Sequence, residues 1–472
     1  MTSFPSLTIR RDALVPHGAF AEAQAQYLRP DPTAVAALDE LLAEKRVGVV
    51  AHFYMDAELQ GVLAACAWPH VHVSDSLLMA ERAVAMAEAG VAAIVVLGVD
   101  FMSESVRSQL DAAGFAHVPV YRLAKEAIGC SLAAAADTAR YAAFLRRAAA
   151  APAPLHVIYI NTSLRVKGMA QALVPTITCT SSNVVRVILQ AFAQVPELGL
   201  WYGPDTYMGE NLASLLDWFA GLPDAEVRAL HPDHTPATIA RARAAFHHFT
   251  EGTCVVHHMF GRDVVERVRR EHADALCTAH LEVPGEMFAL AGEAQRIGRG
   301  VVGSTSQILE FIGRKVDEAA ARPGPARLPV VLGTESGMVT SIVHRVQGAL
   351  RRLARPDVEV EVIFPVAGEA IAAAPGSPLA IVPGAASGEG CSAAGGCATC
   401  PYMKMNDLSR LFDVVGAVGG PAEAIEGFAP RRADSAEAHA LARAASSTIE
   451  EMRHFQRTGR LSDALVARIR AA

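Results

Sequence analysis

The stretch VAAIVVLGVDFMSESVRSQL, residues 91–110, decides the fold class. Its first nine residues are an unbroken apolar run, too short to cross a bilayer and rich in β-branched side chains, so they read as a strand buried on both faces. Gly98 and Val99 end the run, and DFMSESVRSQL continues at helical spacing. A buried strand feeding a helix is half of a parallel βαβ unit, which needs helices on both sheet faces.

Working outward, the same alternation recurs. Upstream, DPTAVAALDELLAEKR (31–46) has the cap and periodicity of a helix, VGVVAHFY (47–54) is a strand ending in His52 and Tyr54, and VHVSDS ends another at Asp75 and Ser76. Downstream, LHVIYI (155–160) ends at Tyr159 and Asn161, and TITCTSSN (176–183) ends in Thr180, Ser181 and Ser182. Then DALCTAHLEVP (274–284) carries His280 and Glu282, VVGSTSQIL (301–309) carries Ser304 and Thr305, and PVVLGTESGM (329–338) carries Thr334 and Glu335. Residues 1–30 read as an irregular leader, about 222–250 as a polar linker, and the tail as helix broken at Gly459. Three such rounds give an α/β protein of three similar parallel-sheet units. The boundaries are 1–120 with the C-terminal helices 401–472, then 121–250, then 251–400.

The totals exclude several functions. A formal charge of −7 argues against nucleic acid or an anionic membrane as partner. The N-terminus lacks the apolar block of a signal peptide, so a cytoplasmic chain is expected. In a reducing compartment the eight cysteines serve metal or redox chemistry rather than structural disulfides. Three of them stand in CSAAGGCATCPYMKMNDL (391–408), where PYMKMNDL reads as a helix start that favours a thiolate at Cys400. Cys397 and Cys400 form a CxxC pair that fits zinc, a redox couple or an iron–sulfur set. Cys66, Cys179 and Cys277 have apolar or β-branched neighbours and read as small buried hydrophobes.

Hydroxyls and carboxylates at strand ends are where ligands meet α/β folds. Thr180-Ser181-Ser182 and Ser304-Thr305-Ser306 open helices, so they cap those helices and can also hold an anion. His280 and Glu282, two apart, point the same way along a strand and suit a joint acid/base role.

The ordered set AHFYMDAELQ, DSLLMA, GVDFMSES, EAIGCSL, YINTSLRVK, CTSSN, PDTYMGENLA, GTCVVHHMF, AHLEVP, GSTSQIL, GTESGM and CPYMKMNDL resembles that of the quinolinate synthases. The resemblance runs from about residue 45 to 410. It implies three α/β units around a pseudo-threefold axis and a [4Fe–4S] cluster on Cys130, Cys254 and Cys400, with one iron left open as a Lewis acid. The implied reaction condenses iminoaspartate with dihydroxyacetone phosphate, and an enzyme that supplies iminoaspartate is an implied partner. Tyr54, His280 and Glu282 take the catalytic roles, and His52, Ser76, Tyr159, Asn161, Ser181 and Thr305 the substrate contacts. Lys167 adds charge nearby. The chain departs from the family where HPEC is usual, having Leu281 and Val283 in HLEV. Two other readings are a different iron–sulfur hydro-lyase and a cluster-bearing redox sensor. Cys391 and Cys397 are further candidates, as disulfide partners of Cys400 once the cluster is lost.

Overall fold

The computed structural model describes residues 3–365, 399–431 and 435–472. The chain forms two compact units, one of residues 1–128 and 255–430, the other of residues 129–254 and 431–472.

The leader is ordered: β1 (Ser6–Ile9) and β2 (Leu14–His17) form an antiparallel hairpin followed by the helix Ala19–Tyr27. A first sheet consists of β3 (Val47–His52), β4 (Val71–Ser74), β5 (Ala93–Leu97) and β6 (Val120–Tyr121). A second consists of β7 (Pro154–Tyr159), β8 (Thr176–Cys179), β9 (Gly199–Gly203) and β10 (Phe246–His248). The third holds β11 (Leu276–His280), β12 (Gly300–Gly303), β13 (Ala326–Gly333) and β14 (Val358–Ile363).

All three share one topology. The strand orders are β4-β3-β5-β6, β8-β7-β9-β10 and β12-β11-β13-β14, parallel throughout. Among the described residues the third sheet alone is extended, by β1 pairing antiparallel to β14 with Ser6 opposite Ile363 and β2 beyond it. The apolar run at 91–99 contributes β5, buried at every position, and its helix spans Asp100–Ala112.

The expected boundaries need changes where short elements were read as coil. Residues 222–250 contain the helices Asp224–Leu230 and Pro236–Ala244 and strand β10, not a linker. The tail helix Ala436–Thr458 packs on β8 and on the helix Leu164–Leu173, so it belongs with the second sheet rather than the first. Gly168 makes that packing possible, because a Cβ there would lie 2.2 Å from the Leu441 carbonyl oxygen. Gly459 ends the tail helix in a left-handed conformation (φ 70°), as its position predicts.

In the larger unit, Val330, Leu332, Val360 and Val362 of the third sheet are covered by Ile308, Ile312, Ile342 and Val346 from two helices. In the other unit, Tyr141, Phe144, Ile158 and Val166 form a separate core. Each such buried side chain contributes about 1.5–3 kcal/mol of transfer free energy, which makes these sheets rigid supports for their strand ends.

Candidate active site

The shared topology places site residues at equivalent points. On the paired strands, His52 lies opposite Ser74, Tyr159 opposite Cys179 and His280 opposite Gly303. Two residues past each partner comes a hydroxyl: Ser76, Ser181 and Thr305. Each sheet therefore offers a ring at the carboxyl end of one strand and a hydroxyl at the start of the neighbouring connection. Asn161 follows β7 in the same way and is half-buried. Ser76 and Thr305 are the first residues of their helices, and the cap hydrogen bonds are made by Asp75 and Ser304 instead. Around Ser181 the helix starts later than expected, at Val184, and Thr180 Oγ1 pairs with Ser182 Oγ at 2.8 Å.

Within the larger unit, His52, Tyr54, His257, His280, Glu282 and Thr334 form one connected polar group. The turn bearing Tyr54 is held by Gln60, whose side-chain amide donates to the carbonyls of Phe53 (2.9 Å), Met55 (2.7 Å) and Gly337 (2.9 Å). Gly337 has no room for a side chain, since its Cβ would lie 2.8 Å from Tyr54 Cα. Tyr54 Oη then stands 3.2 Å from Thr334 Oγ1, and Thr334 Oγ1 stands 3.4 Å from His257 Nε2. His257 Nδ1 faces Glu282 Oε2 at 3.2 Å, while Glu282 Oε1 lies 3.7 Å from His280 Nδ1. The ligand atoms of His257, His280 and Glu282 all lie within 4.8 Å of one another, so the same group could hold a metal ion.

Two histidines have defined tautomers. The Tyr54 backbone N–H donates to Nδ1 of His52 (3.2 Å), and the Glu282 N–H donates to Nδ1 of His280 (3.3 Å). In each neutral ring the proton is therefore on Nε2. Burial pushes both imidazoles down to about 4, against the pull of Glu282 on each, so both are neutral at pH 7. A neutral imidazole with Nε2–H is a hydrogen-bond donor suited to a carbonyl or carboxylate.

His280 and Glu282 do meet, but not along a strand. β11 ends at His280 and Glu282 lies in the following turn, so the turn and not the strand period brings the carboxylate back toward the ring. His257, Thr334 and Glu335 join the group without having been assigned roles. Glu335 is fully buried, and burial with neighbouring Glu282 pushes its carboxyl well above the ordinary range, opposed by a hydrogen bond from the Cys400 backbone N–H. Lys167 is not a surface charge. It is fully buried in the smaller unit, where its ammonium donates to the Ile160 carbonyl (2.9 Å), the Thr162 carbonyl and Thr162 Oγ1 (2.9 Å). It thereby braces the Tyr159–Asn161 turn from behind.

The cysteines separate by environment. Cys130, at the start of the helix Ser131–Ala136, and Cys254 and Cys400 are half-buried. Cys179 and Cys277 are buried, and burial raises both thiols, Cys277 to about 12. Cys66 is raised to about 11 by burial and Asp39. Cys66 is half-buried too, so it is the raised thiol and not the degree of burial that sets it apart from Cys130, Cys254 and Cys400 as a metal donor. The helix expected after Cys400 is absent: residues 403–405 make one 3₁₀ turn, and the α-helix begins at Leu408. Asn406 causes the break, its amide bonding Met403 O at 3.1 Å and exchanging 3.3 Å hydrogen bonds with Gly98. Positive charge at Cys400 comes instead from Lys404, which Cys400 and Asp56 help keep charged against burial. Cys391 and Cys397 lie outside the described residues, and with them the proposed disulfide.

A family model described as Quinolinate synthetase A protein matches residues 36–363. The chain is 50% identical over 480 residues to "Quinolinate synthase, chloroplastic" of Nicotiana tabacum, covering 99% of this chain and 66% of the relative. It is likewise 50% identical to the Arabidopsis thaliana protein of that name, covering 99% and 67%. A "Quinolinate synthase" of Methanopyrus kandleri is 30% identical over 294 residues, 62% of this chain and 77% of the relative. The chain thus spans about two thirds of the length of the plant relatives. Their names, and that of the Oryza sativa protein, place them in the chloroplast, which overturns the cytoplasmic placement read from the N-terminus. That reading rested on a missing apolar block, and such a block marks a secretory leader only.

Proposed function

The chain belongs to the quinolinate synthase family, enzymes of NAD biosynthesis, and from that premise we propose that it condenses iminoaspartate with dihydroxyacetone phosphate, releasing quinolinate, phosphate and water. The observation that carries the proposal is the polar group of His52, half-buried Tyr54, His257, His280 and Glu282, gathered near the carboxyl ends of β3 and β11 with His52 and His280 held neutral by burial. Proton transfers are the main demand of such a condensation, and these residues supply donors and an acceptor away from water.

Glu282 is the general base, placed against both His257 and His280. His52 and His280 orient substrate carbonyl or carboxylate oxygens through Nε2–H. Tyr54 Oη assists the proton shifts that convert the ketose phosphate to its aldose form. Ser76 and Thr305, first residues of their helices, bind carboxylate or phosphate oxygens where backbone N–H groups also converge. Tyr159, Asn161 and Ser181 orient the substrate in the family's pattern. Cys130, Cys254 and Cys400 would hold a [4Fe–4S] cluster, which supplies Lewis-acid chemistry at an iron lacking a protein ligand. An enzyme making iminoaspartate is the natural partner, since the imine hydrolyses in water.

The test uses anaerobically purified, iron-loaded protein with dihydroxyacetone phosphate and iminoaspartate formed from oxaloacetate and ammonia. Quinolinate should appear by mass spectrometry only when both substrates are present, with one phosphate released per quinolinate. Fully loaded protein that makes none would refute the proposal.

A further inference from the structure

Thr334 belongs to the polar group around Glu282, yet the proposed reaction gives it no task. It follows β13 directly, is 1% exposed, and its hydroxyl lies between Tyr54 Oη and His257 Nε2. A hydroxyl in that position could merely fill space. Its hydrogen-bonding distance to both partners argues otherwise.

His257 Nδ1 approaches Glu282 Oε2 at 3.2 Å without the alignment of a hydrogen bond, so the hydrogen bond that ties the His257 ring to Tyr54 runs through Thr334 Oγ1 at Nε2. The threonine hydroxyl has one proton to give and lone pairs to accept, so it can donate to one of His257 Nε2 and Tyr54 Oη while accepting from the other. Either way round, the Thr334 hydroxyl sets which way the Tyr54 hydroxyl points. His52 adds a second constraint, its ring meeting the Tyr54 ring edge-on with centroids 4.8 Å apart.

We infer that Thr334 is a positioning residue for the condensation, a hydroxyl that orients the Tyr54 phenol by joining it to His257. This rests on the proposed function for its consequence in turnover, but not for its effect on Tyr54 itself. Valine is nearly isosteric with threonine and has no hydroxyl, whereas serine keeps the hydroxyl and loses a methyl group. Thr334→Val should therefore lose activity and Thr334→Ser keep it.

The experiment compares wild type, Thr334→Val, Thr334→Ser and Tyr54→Phe, each anaerobically purified with iron content measured. Expected are a fall in kcat of at least about tenfold for Thr334→Val with KM within about threefold, and a kcat for Thr334→Ser within about threefold of wild type. The Val change should cost nothing further when added to Tyr54→Phe, because the partner is already gone. A readout free of turnover is the ¹³C resonance of tyrosine Cζ in labelled protein. The Tyr54 signal, identified by its loss in Tyr54→Phe, should move in Thr334→Val and stay in Thr334→Ser. Should Thr334→Val not fold, Thr334→Ala replaces it with the same expectations. Equal activity in Thr334→Val and wild type, or Thr334→Ser impaired as badly as Thr334→Val, overturns the inference, as does an unmoved Tyr54 resonance. A wild type without quinolinate synthesis but with the resonance shift intact would refute the reaction and leave the orientation standing.

Discussion

The rings of His257 and His280 stack with centroids 5.0 Å apart and planes 16° from parallel, and Glu282 lies against the Nδ1 edge of both. His280 receives the Glu282 backbone N–H on Nδ1 while His257 points its own Nδ1 at the carboxylate. One glutamate thereby approaches two stacked imidazoles at once and fixes the tautomer of His280 through its backbone.

Removing that charge should be costly to turnover and harmless to metal content. Glu282→Gln keeps the shape and should lower quinolinate formation by roughly 10²–10⁴-fold, the usual size of a general acid–base contribution. Iron per chain should equal that of wild type. Normal turnover in the glutamine variant would take Glu282 out of the mechanism.

The cysteine assignment predicts a sharp division. Cys130→Ala, Cys254→Ala and Cys400→Ala should each lose bound iron and the cluster's visible absorption. Cys66→Ala, Cys179→Ala and Cys277→Ala should retain both, because their thiols are raised and two of them are buried. Full iron in Cys400→Ala would show that a residue other than Cys400 completes the ligand set.

Acid sensitivity can be tested away from the site. His156 is buried, with Nδ1 against the Trp201 carbonyl (2.8 Å) and Nε2 against Tyr141 Oη (3.0 Å), and burial pushes it down to about 4. In the unfolded chain it titrates near 6.5, so between the two values the unfolded state binds a proton that the folded state does not. Its stabilising contribution is complete above pH 6.5 and lost as pH falls toward 4, on the order of 3 kcal/mol in total. His156→Gln should flatten the fall of the urea midpoint across that window. An unchanged pH slope would contradict the buried neutral state.

Gly168→Ala should loosen the tail. The added Cβ meets the Leu441 backbone, which cannot give way as a flexible side chain would. A loss of about 1–3 kcal/mol is expected, with residues 436–472 becoming the first region cut in limited proteolysis. Proteolysis identical to wild type would show that the helix can shift at no cost.

The strand ends were readable because burial on both sheet faces leaves little but the last residues to carry polar groups. His52, Tyr159 and His280 stand out on that ground alone. His257 does not, since it lies on a three-residue 3₁₀ turn with neither the strand nor the helix period, next to an exposed His258. Thr334 and Glu335 were visible at a strand end, but Thr334 meets Tyr54 across 280 positions of sequence, and no local pattern records such a contact. Short elements were lost for a related reason: β1, β2 and β10 hold three or four residues each, too few for an alternation to register. The missing helix at 401–408 goes with Asn406, whose side chain bonds both its own turn at Met403 and the distant Gly98.

The pairing of β1 with β14 also governs how the chain is made. Residues 6–9 leave the ribosome long before their partners, residues 360–363, and the whole of 129–254 emerges between them. That intervening unit in turn waits for residues 436–458 to cover β8. Both units therefore spend much of synthesis with an apolar sheet surface or an open edge uncovered. Chaperone supply and translation speed should then limit the yield of soluble protein more strongly than native stability does. Truncations before residue 360 should aggregate even though the first sheet is fully encoded in them.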